Sequence, residues 1–547
     1  MKRNKPPGMA EKAPPKRKSR RRKNERARSG GAASYGDESP IAAFATPLAQ
    51  SALTLIRCSG KGAIELAASV FSSPRRLLRA RGNTVLHGWI TAPPALSGSA
   101  EAAACGRAAC GATASGKIDE VLVSVFRAPA SYTGEDGLDI SCHGGTAAGR
   151  AVMEALHAAG FRDALPGEFT FRAFMNGKLD LTRSESVMEL VSARTDEGRR
   201  HAVNRLSGAL EEEINHIKNL LVEALSATEI LLDYSEDEID AEAGEAADRF
   251  PGGVQAEEAL ARLKRLSSSW RRERIYQEGI LAVIAGRPNA GKSSLFNMLL
   301  GEERSIVTEI PGTTRDWIEA WVSIEGIPVR LADTAGLRDS DDRIEKIGVE
   351  RSLELLDEAE LVLYVIDGET GPAAEDRAFL EETADKARLI IWNKADIRPL
   401  PAAGAAGGAF PAAALSAGQD GRAAAADIIS VSAKTGEGID ALGRAIAAAV
   451  EAAAPDAAGE ARPGAPGSAV NNASRAEAAL GSARQKTLVE NAAAALGEAL
   501  DLAGRNEALE LVAAPLREAI NCLGEITGEV STADILELMF SRFCVGK

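Results

Sequence analysis

At 547 residues the chain is too long for a single hydrophobic core and implies about three or four domains. With 45% hydrophobic and 26% charged residues it has the composition of a soluble globular protein, and no run approaches the roughly 18–20 apolar residues that a membrane span needs, so no membrane role is expected. The net charge of −14 is uneven: residues 1–30 carry thirteen Lys/Arg against two Glu, a surplus of 11, so the remainder stands at −25, which excludes a general nucleic-acid clamp.

Residues 1–38 form a basic tail, nearly all Lys/Arg from Lys16 to Lys23, that reads as disordered. Loose affinity for RNA or ribosomes and a merely solubilising extension both fit it. No apolar stretch follows, so it is not read as a secretory signal. Six scattered cysteines suit a reducing, cytoplasmic setting, and Cys105 and Cys110 have no histidine nearby to complete a metal site.

Residues 39–176 mix short strand-like runs (Ala52 to Arg57, Val121 to Phe126) with turns, and the Ala/Gly-rich stretch from Ala92 to Gly116 reads as a flexible insert. Residues 177–277 turn helical. Leu206, Leu210, Ile214, Ile217, Leu221 and Leu225 recur at spacings of three and four and predict one apolar helix face. Phe250-Pro251-Gly252-Gly253 breaks that series, and a second helix is expected from Val254 to Arg274. Over 278–452, five apolar runs alternate with helical segments: Ile280–Ala285, Val329–Ala332, Leu361–Ile366, Leu389–Trp392 and Ile428–Val431. That alternation marks βαβ units and a mostly parallel sheet. Residues 453–547 combine a linker with further helix. A second insert runs from Pro399 to Arg422. Helices on both sides of the α/β block suggest that it is inserted into a helical domain. The expected fold is multidomain α/β and α+β.

The chemistry lies in the α/β block. Gly286-Arg287-Pro288-Asn289-Ala290-Gly291-Lys292-Ser293, followed by Ser294, fits a phosphate loop between a strand and a helix expected at Ser293–Leu300. Glycines let backbone amides turn toward phosphates and the helix N-terminus favours the anion. Lys292 would neutralise the β- and γ-phosphates as a catalytic group, and the Ser293 hydroxyl would ligate Mg2+. Asp333-Thr334-Ala335-Gly336 follows the second run, with Asp333 placed to hold magnesium through water and Gly336 to reach the γ-phosphate. Asn393-Lys394-Ala395-Asp396 follows the fourth run. A carboxylate there accepts two hydrogen bonds from the guanine edge, a donor pair adenine lacks, and so selects GTP over ATP. Ser432-Ala433-Lys434 would pack the base. Thr308, Glu309, Ile310, Pro311, Gly312, Thr313 and Thr314 occupy the position of a first switch, with Thr314 the expected second magnesium ligand. Leu337 stands where Ras-like GTPases place their water-orienting glutamine, so another group must align water and another cation must offset transition-state charge. Glu345 is the candidate for the water, although spacing alone favours a solvated helix-face charge.

These motifs resemble the MnmE (TrmE) family of tRNA modification GTPases. Ser131-Tyr132-Thr133-Gly134-Glu135-Asp136 with Cys142-His143-Gly144-Gly145 is similar to that family's N-terminal domain. Pro166-Gly167-Glu168-Phe169-Thr170 with Lys178-Leu179-Asp180-Leu181 is similar to its junction with the helical domain, and Phe543-Cys544-Val545-Gly546-Lys547 to its C-terminus. The resemblance implies a folate-binding N-terminal α+β domain that homodimerises, and a helical domain interrupted by a Ras-like GTPase (G) domain. It further implies a heterotetramer with the FAD protein MnmG. Together they would add a carboxymethylaminomethyl-type group at carbon 5 of the wobble uridine of certain tRNAs, with a tetrahydrofolate derivative (5-formyl or methylene form) as one-carbon source. By matching positions, Arg57, Glu135, Lys178 and Lys547 would contact folate. K+ would replace an arginine finger, held by Asn289, Thr308, Ile310 and Thr313, and Glu345 would orient water. Cys544 could take part in chemistry or be structural, and His143 is read as part of a turn.

The basic tail and the inserts depart from the family pattern, and Pro311 stiffens the cation loop. Two other readings stay open: a ribosome-assembly GTPase acting as a switchable RNA-binding module, and a stand-alone folate-dependent transferase.

Overall fold

The computed structural model describes residues 35–92, 116–233, 250–301, 319–333, 354–400, 428–452, 478–530 and 533–546. The basic tail up to residue 34 and the interiors of the Ala/Gly-rich inserts lie outside them. The chain divides into two units, Met1–Ala173 with Glu537–Lys547, and Phe174–Leu536.

In the first unit, strands β1 (Ile41–Phe44), β2 (Leu53–Ser59), β3 (Thr84–Thr91), β4 (Lys117–Phe126), β5 (Gly137–His143) and β6 (Arg162–Asp163) form a sheet in the order β3-β4-β5-β2-β1-β6. All neighbours are antiparallel except β1 and β6. Alternation sets its two faces: Val121, Val123 and Val125 of β4 point into the core, while Leu122 between them is exposed. Ile56, Leu138 and Ile140 join them beneath helices α1 (Ala63–Ser69) and α3 (Thr146–Ala159), each such side chain contributing about 1.5–3 kcal/mol by leaving water. The first insert leaves at the end of β3 and returns at the start of β4, its ends joined by a 2.8 Å hydrogen bond from the Ala92 amide to the Gly116 carbonyl. Between α1 and β3 lies the short helix α2 (Pro74–Arg79), and α4 covers Glu168–Met175.

The second unit begins with α5 (Leu181–Ser192) and α6 (Asp196–Leu206), capped by Asp180 and Thr195, whose side chains accept the amides of Arg183 and Gly198. Next come the long helices α7 (Ala209–Asp233) and α8 (Gly253–Glu278). The expected single apolar face starting at Leu206 is corrected here: Leu206 closes α6, Gly208 with φ +104° turns the chain, and the face belongs to α7 from Leu210 onward.

Within the α/β block, β7 (Ile280–Gly286), α9 (Lys292–Leu300), β8 (Glu319–Ile324), β9 (Ile327–Asp333), β10 (Leu361–Asp367), α10 (Ala374–Glu382), β11 (Arg388–Asn393), β12 (Ile428–Ser430) and α11 (Ile439–Ala452) follow in turn. The sheet order is β12-β11-β10-β7-β9-β8, parallel throughout except for the edge strand β8. β10 is buried along its whole length, as a central parallel strand must be. All five apolar runs are strands. β8 escaped the sequence reading, although Trp321, Val322 and Ile324 with the two-residue turn Glu325-Gly326 (φ 50° and 83°) form a hairpin signal.

After the block come α12 (Ala483–Gly504), α13 (Leu509–Thr527) and α14 (Ala533–Phe540). Leu210, Ile214 and Leu221 of α7 and Leu263 of α8 share one core with Val489 and Leu496 of α12 and Leu516 and Leu523 of α13. Helices from before and after the block therefore build one domain into which the block is inserted.

Two features join the block to the helices before it. A single residue, Gly279, separates α8 from β7. Its φ is +75°, and a Cβ there would lie 2.4 Å from the Pro328 carbonyl oxygen and 2.7 Å from the Trp321 ring. The Arg194 guanidinium, between α5 and α6, stacks 3.5 Å from the centre of that same ring.

Behind this junction lies an ionic cluster. Arg205, 1% exposed, donates to Glu189 Oε2 at 2.7 Å and to Glu273 Oε2 at 2.6 Å, and His201 Nδ1 lies 2.8 Å from Glu273 Oε1. Burial pushes the Glu189 carboxyl up to about 7 in spite of Arg205. The sign follows from linkage: a carboxyl raised from its ordinary value of 4.5 binds its proton more tightly in the folded state. Its contribution to stability therefore falls as pH rises from about 4.5 to about 7 and levels off above. Glu189→Gln should remove this slope, so urea melts of wild type and variant should converge toward pH 5 and diverge toward pH 8. Equal offsets at both pH values would contradict it.

Candidate functional site

The phosphate loop springs from the end of β7. Gly286, at φ +144°, runs so close to β10 that a Cβ would lie 2.4 Å from the Val365 carbonyl oxygen. Asn289 (φ 64°) and Gly291 (φ 91°) then turn the backbone before α9 opens at Lys292, one residue earlier than the spacing suggested. The result is a cradle of amides at a helix N-terminus, suited to an anion. Lys292 Nζ curls over it, donating to the carbonyls of Gly286 at 3.0 Å and Arg287 at 2.9 Å.

Ser293 Oγ donates to Asp333 Oδ2 at 2.8 Å, so the start of α9 and the end of β9 present two hard oxygens side by side. That donor set suits magnesium.

Asn393 ties three motifs together. Buried at 2% exposure, it donates from Nδ2 to the Ala290 carbonyl at 2.8 Å and accepts the Ala433 amide on Oδ1 at 3.1 Å. A Cβ at position 291 would lie 2.2 Å from that same Nδ2, so the loop's last glycine is required by a side chain from another strand. Lys394 (φ 61°) donates to Asp367 Oδ2 at 2.8 Å, which holds its ammonium above the ordinary lysine range. Ser432 Oγ donates to Asp396 Oδ1 at 2.7 Å, while Asp396 itself is exposed and able to meet a base. Ala395 donates its amide to the Val431 carbonyl at 3.1 Å, locking the two base-side loops together.

One anchor was not foreseen. Arg287 Nε donates to Asp376 Oδ1 at 3.1 Å, and Asp376, fully buried, also accepts from Tyr364 Oη at 2.7 Å and from the Ala373 amide at 2.6 Å. The outer end of the phosphate loop is thereby fixed to the start of α10. The sequence signal was an acidic residue at the third position of that helix, where it can close back on the cap.

Thr308 to Thr314, Thr334 to Gly336, Leu337 and Glu345 lie outside the described residues. Ser294 and Lys434 are exposed on the loop and base sides of the site.

In the first unit, Arg57 and Ser59 are alternate residues of β2. Ser59 Oγ donates to Glu135 Oε2 at 3.0 Å, and Arg172 Nη1 meets the same oxygen at 3.1 Å. Arg57 pairs with Asp139 at 3.2 Å, reaches the Gly546 carbonyl at 3.4 Å and lies 5.7 Å from the Tyr132 ring centre. Of the four expected folate contacts, Arg57 and Glu135 thus flank one strand. Lys178 belongs to the second unit and Lys547 lies outside the described residues. Cys58 and Cys142 are buried, with burial pushing Cys142 up to about 11, whereas Cys544 is exposed. His143 ends β5 at the expected turn, where Gly144 passes Ser51 so closely that a Cβ would lie 2.0 Å from its carbonyl oxygen. Its Nδ1 also meets Asp119 Oδ1 at 2.7 Å, a pairing the spacing did not indicate.

Comparison with known proteins decides the family. Residues 40–178 match the GTP-binding protein TrmE N-terminus, and residues 181–544 match the MnmE helical domain. The tRNA modification GTPase MnmE of Treponema denticola is 39% identical over 94% of this chain and 99% of its own length. The chain belongs to the MnmE (TrmE) family of tRNA modification GTPases. The family's protein from Symbiobacterium thermophilum is 40% identical over 93% of this chain and its whole length. Among solved structures, the G domain of the T. maritima FeoB iron transporter is 23% identical over 31% of this chain and 98% of that one, with a TM-score of 0.22. As an MnmE family member the chain is a GTP-hydrolysing enzyme. Among the described residues no helix is long and apolar enough to cross a membrane.

Proposed function

We propose that this chain couples GTP hydrolysis to modification of the wobble uridine of certain tRNAs in the cytoplasm. As a homodimer in a heterotetramer with the FAD protein MnmG, it would install a carboxymethylaminomethyl-type group at carbon 5, drawing one carbon from a tetrahydrofolate derivative. The observation that carries the reading is the coexistence, in one family member, of a phosphate loop, strand end and base-side loops brought together in a form that suits GTP, and a polar cluster around Glu135.

The donor sets fit the groups this function needs. The Ser293–Asp333 pair suits Mg2+, which would offset phosphate charge. Asn289, held at φ 64° in the loop, is the described part of the set assigned to K+, which would supply positive charge where no arginine finger is called for. In the first unit, the Glu135 carboxylate can accept from the amino and imino edge of a pterin, with Arg172 and Ser59 fixing its orientation, and Arg57 adds charge for an acidic tail. Tetrahydrofolate supplies the one-carbon unit when bound, and these side chains bind and orient it. Asp396 reads guanine, Lys292 stabilises developing charge, and Glu345 orients water.

Mass spectrometry of tRNA nucleosides tests the reading. A strain lacking the gene should lose the modified wobble uridine, wild type should restore it, and Lys292→Ala should leave it absent. Full restoration by Lys292→Ala would separate the modification from GTP hydrolysis and defeat the proposal.

A further inference from the structure

We propose that Arg75, Arg76, Arg79 and Arg81, on α2 and the turn after it, form a docking surface for the phosphate backbone of tRNA. The proposal rests on the tRNA reading above and adds a site to it. All four arginines are exposed, and among the described residues none is ion-paired. No Asp or Glu occurs anywhere from Leu66 to Ala92. In a chain whose residues beyond the first 30 carry −25, a stretch of four arginines without an acidic residue stands out.

The cluster is held on a fixed support. Pro74 opens α2, where a missing N–H is harmless, and Leu77 is fully buried beneath it. Arg127 clasps the far end, donating from Nη2 to the Leu78 carbonyl at 2.9 Å and from Nε to the Ala80 carbonyl at 3.4 Å, while Asp136 pairs with it at 3.3 Å. The helix C-terminus therefore already has a cation in Arg127.

A purely local role explains only half of the four arginines. Arg76 and Arg79 stand in the last turn, where a cation favours the helix dipole by about 0.3–1 kcal/mol. Arg75 stands in the first turn, where the same dipole disfavours it, and Arg81 lies beyond the helix. Arg75 and Arg79, four residues apart, share a face about 6 Å apart along the axis, with Arg76 beside them. A row of forked donors with no carboxylate among them suits successive phosphates. A protein partner would instead centre on an apolar anchor, and the patch offers only Leu78, 43% exposed.

Equilibrium binding of an unmodified tRNA transcript to the full chain, over a range of KCl concentrations, tests this. The variants are Arg75→Glu/Arg79→Glu/Arg81→Glu and the milder triple change of the same residues to Gln. Both should hydrolyse GTP as wild type does, since none of these side chains belongs to the nucleotide site. At low salt the Glu variant should bind at least about 10-fold more weakly, and the slope of log affinity against log salt should shrink by roughly 0.7–0.9 for each phosphate that the variant no longer neutralises. The basic tail contributes equally to every protein compared, so it cancels. The Gln variant should fall between, and Leu78→Ser should bind as wild type. Unchanged affinity and slope in both triple variants would overturn the proposal, as would a Leu78→Ser loss equal to theirs, which would mark a protein-docking face. If wild type itself bound no tRNA, the underlying tRNA reading would fall as well.

Discussion

Lys292→Ala should lower the rate of GTP hydrolysis by about 10³-fold, the scale of removing one positioned donor from a developing anion. Lys292 is 7% exposed, and its ammonium already sits against the Gly286 and Arg287 carbonyls at the mouth of the loop. Replacing it removes charge where the β- and γ-phosphates must lie, without disturbing the backbone that forms the cradle. The fold should survive, because the Asn393 bridge and the Arg287–Asp376 anchor are untouched. Single-turnover hydrolysis with a labelled nucleotide separates chemistry from binding. A variant retaining more than a tenth of the wild-type rate would remove Lys292 from the machinery.

Asp396→Asn should weaken GTP binding by roughly 10²–10³-fold, because two charge-assisted hydrogen bonds to the guanine edge are lost and a donor is turned toward a donor. The same change should improve binding of xanthosine triphosphate, whose 2-oxo group accepts what the 2-amino group repels. This gain guards against misreading an unfolded variant as a loss of specificity. The Ser432 hydroxyl, 2.7 Å from Asp396 Oδ1, can donate equally well to the amide oxygen, so the loop keeps its support. Competition binding with GTP, ATP and xanthosine triphosphate gives the answer. An unchanged order of preference would show that the base is chosen elsewhere.

The strands of the α/β block were legible because a parallel sheet buried on both faces writes its strands as apolar runs, and β7, β9, β10, β11 and β12 all appear that way. β8 is an edge strand with mixed burial, so its apolar pattern is weaker and needs the Glu325-Gly326 turn beside it to be read. The helical face was misread at Leu206 because a glycine turn at Gly208 preserves the spacing of apolar residues while breaking the helix beneath it. Likewise, the meeting of Ser293 with Asp333 and of Asn393 with the phosphate loop was legible because a nucleotide-binding pattern fixes residue type and order along the chain. Arg287 and Tyr364 were not, since a contact joining Arg287 to a residue 89 positions away leaves no local pattern, and the acidic third position of α10 marks only the helix start. Pairing of Asp119 with His143 was hidden for the same reason, 24 positions of separation across a sheet.

The single-residue joint at Gly279 has a mechanical consequence. A loop of several residues would let the nucleotide strand shift while the helices stayed still. Here β7 and the 26-residue α8 are coupled almost end to end, and the joint is wedged between the Pro328 carbonyl and the Trp321 ring. A small rotation at the strand should therefore swing the remote end of α8 through a much larger arc. The hairpin that ends at Asp333 carries that same ring, with Arg194 stacked on it, so a displacement of β9 has a second lever on the helical domain.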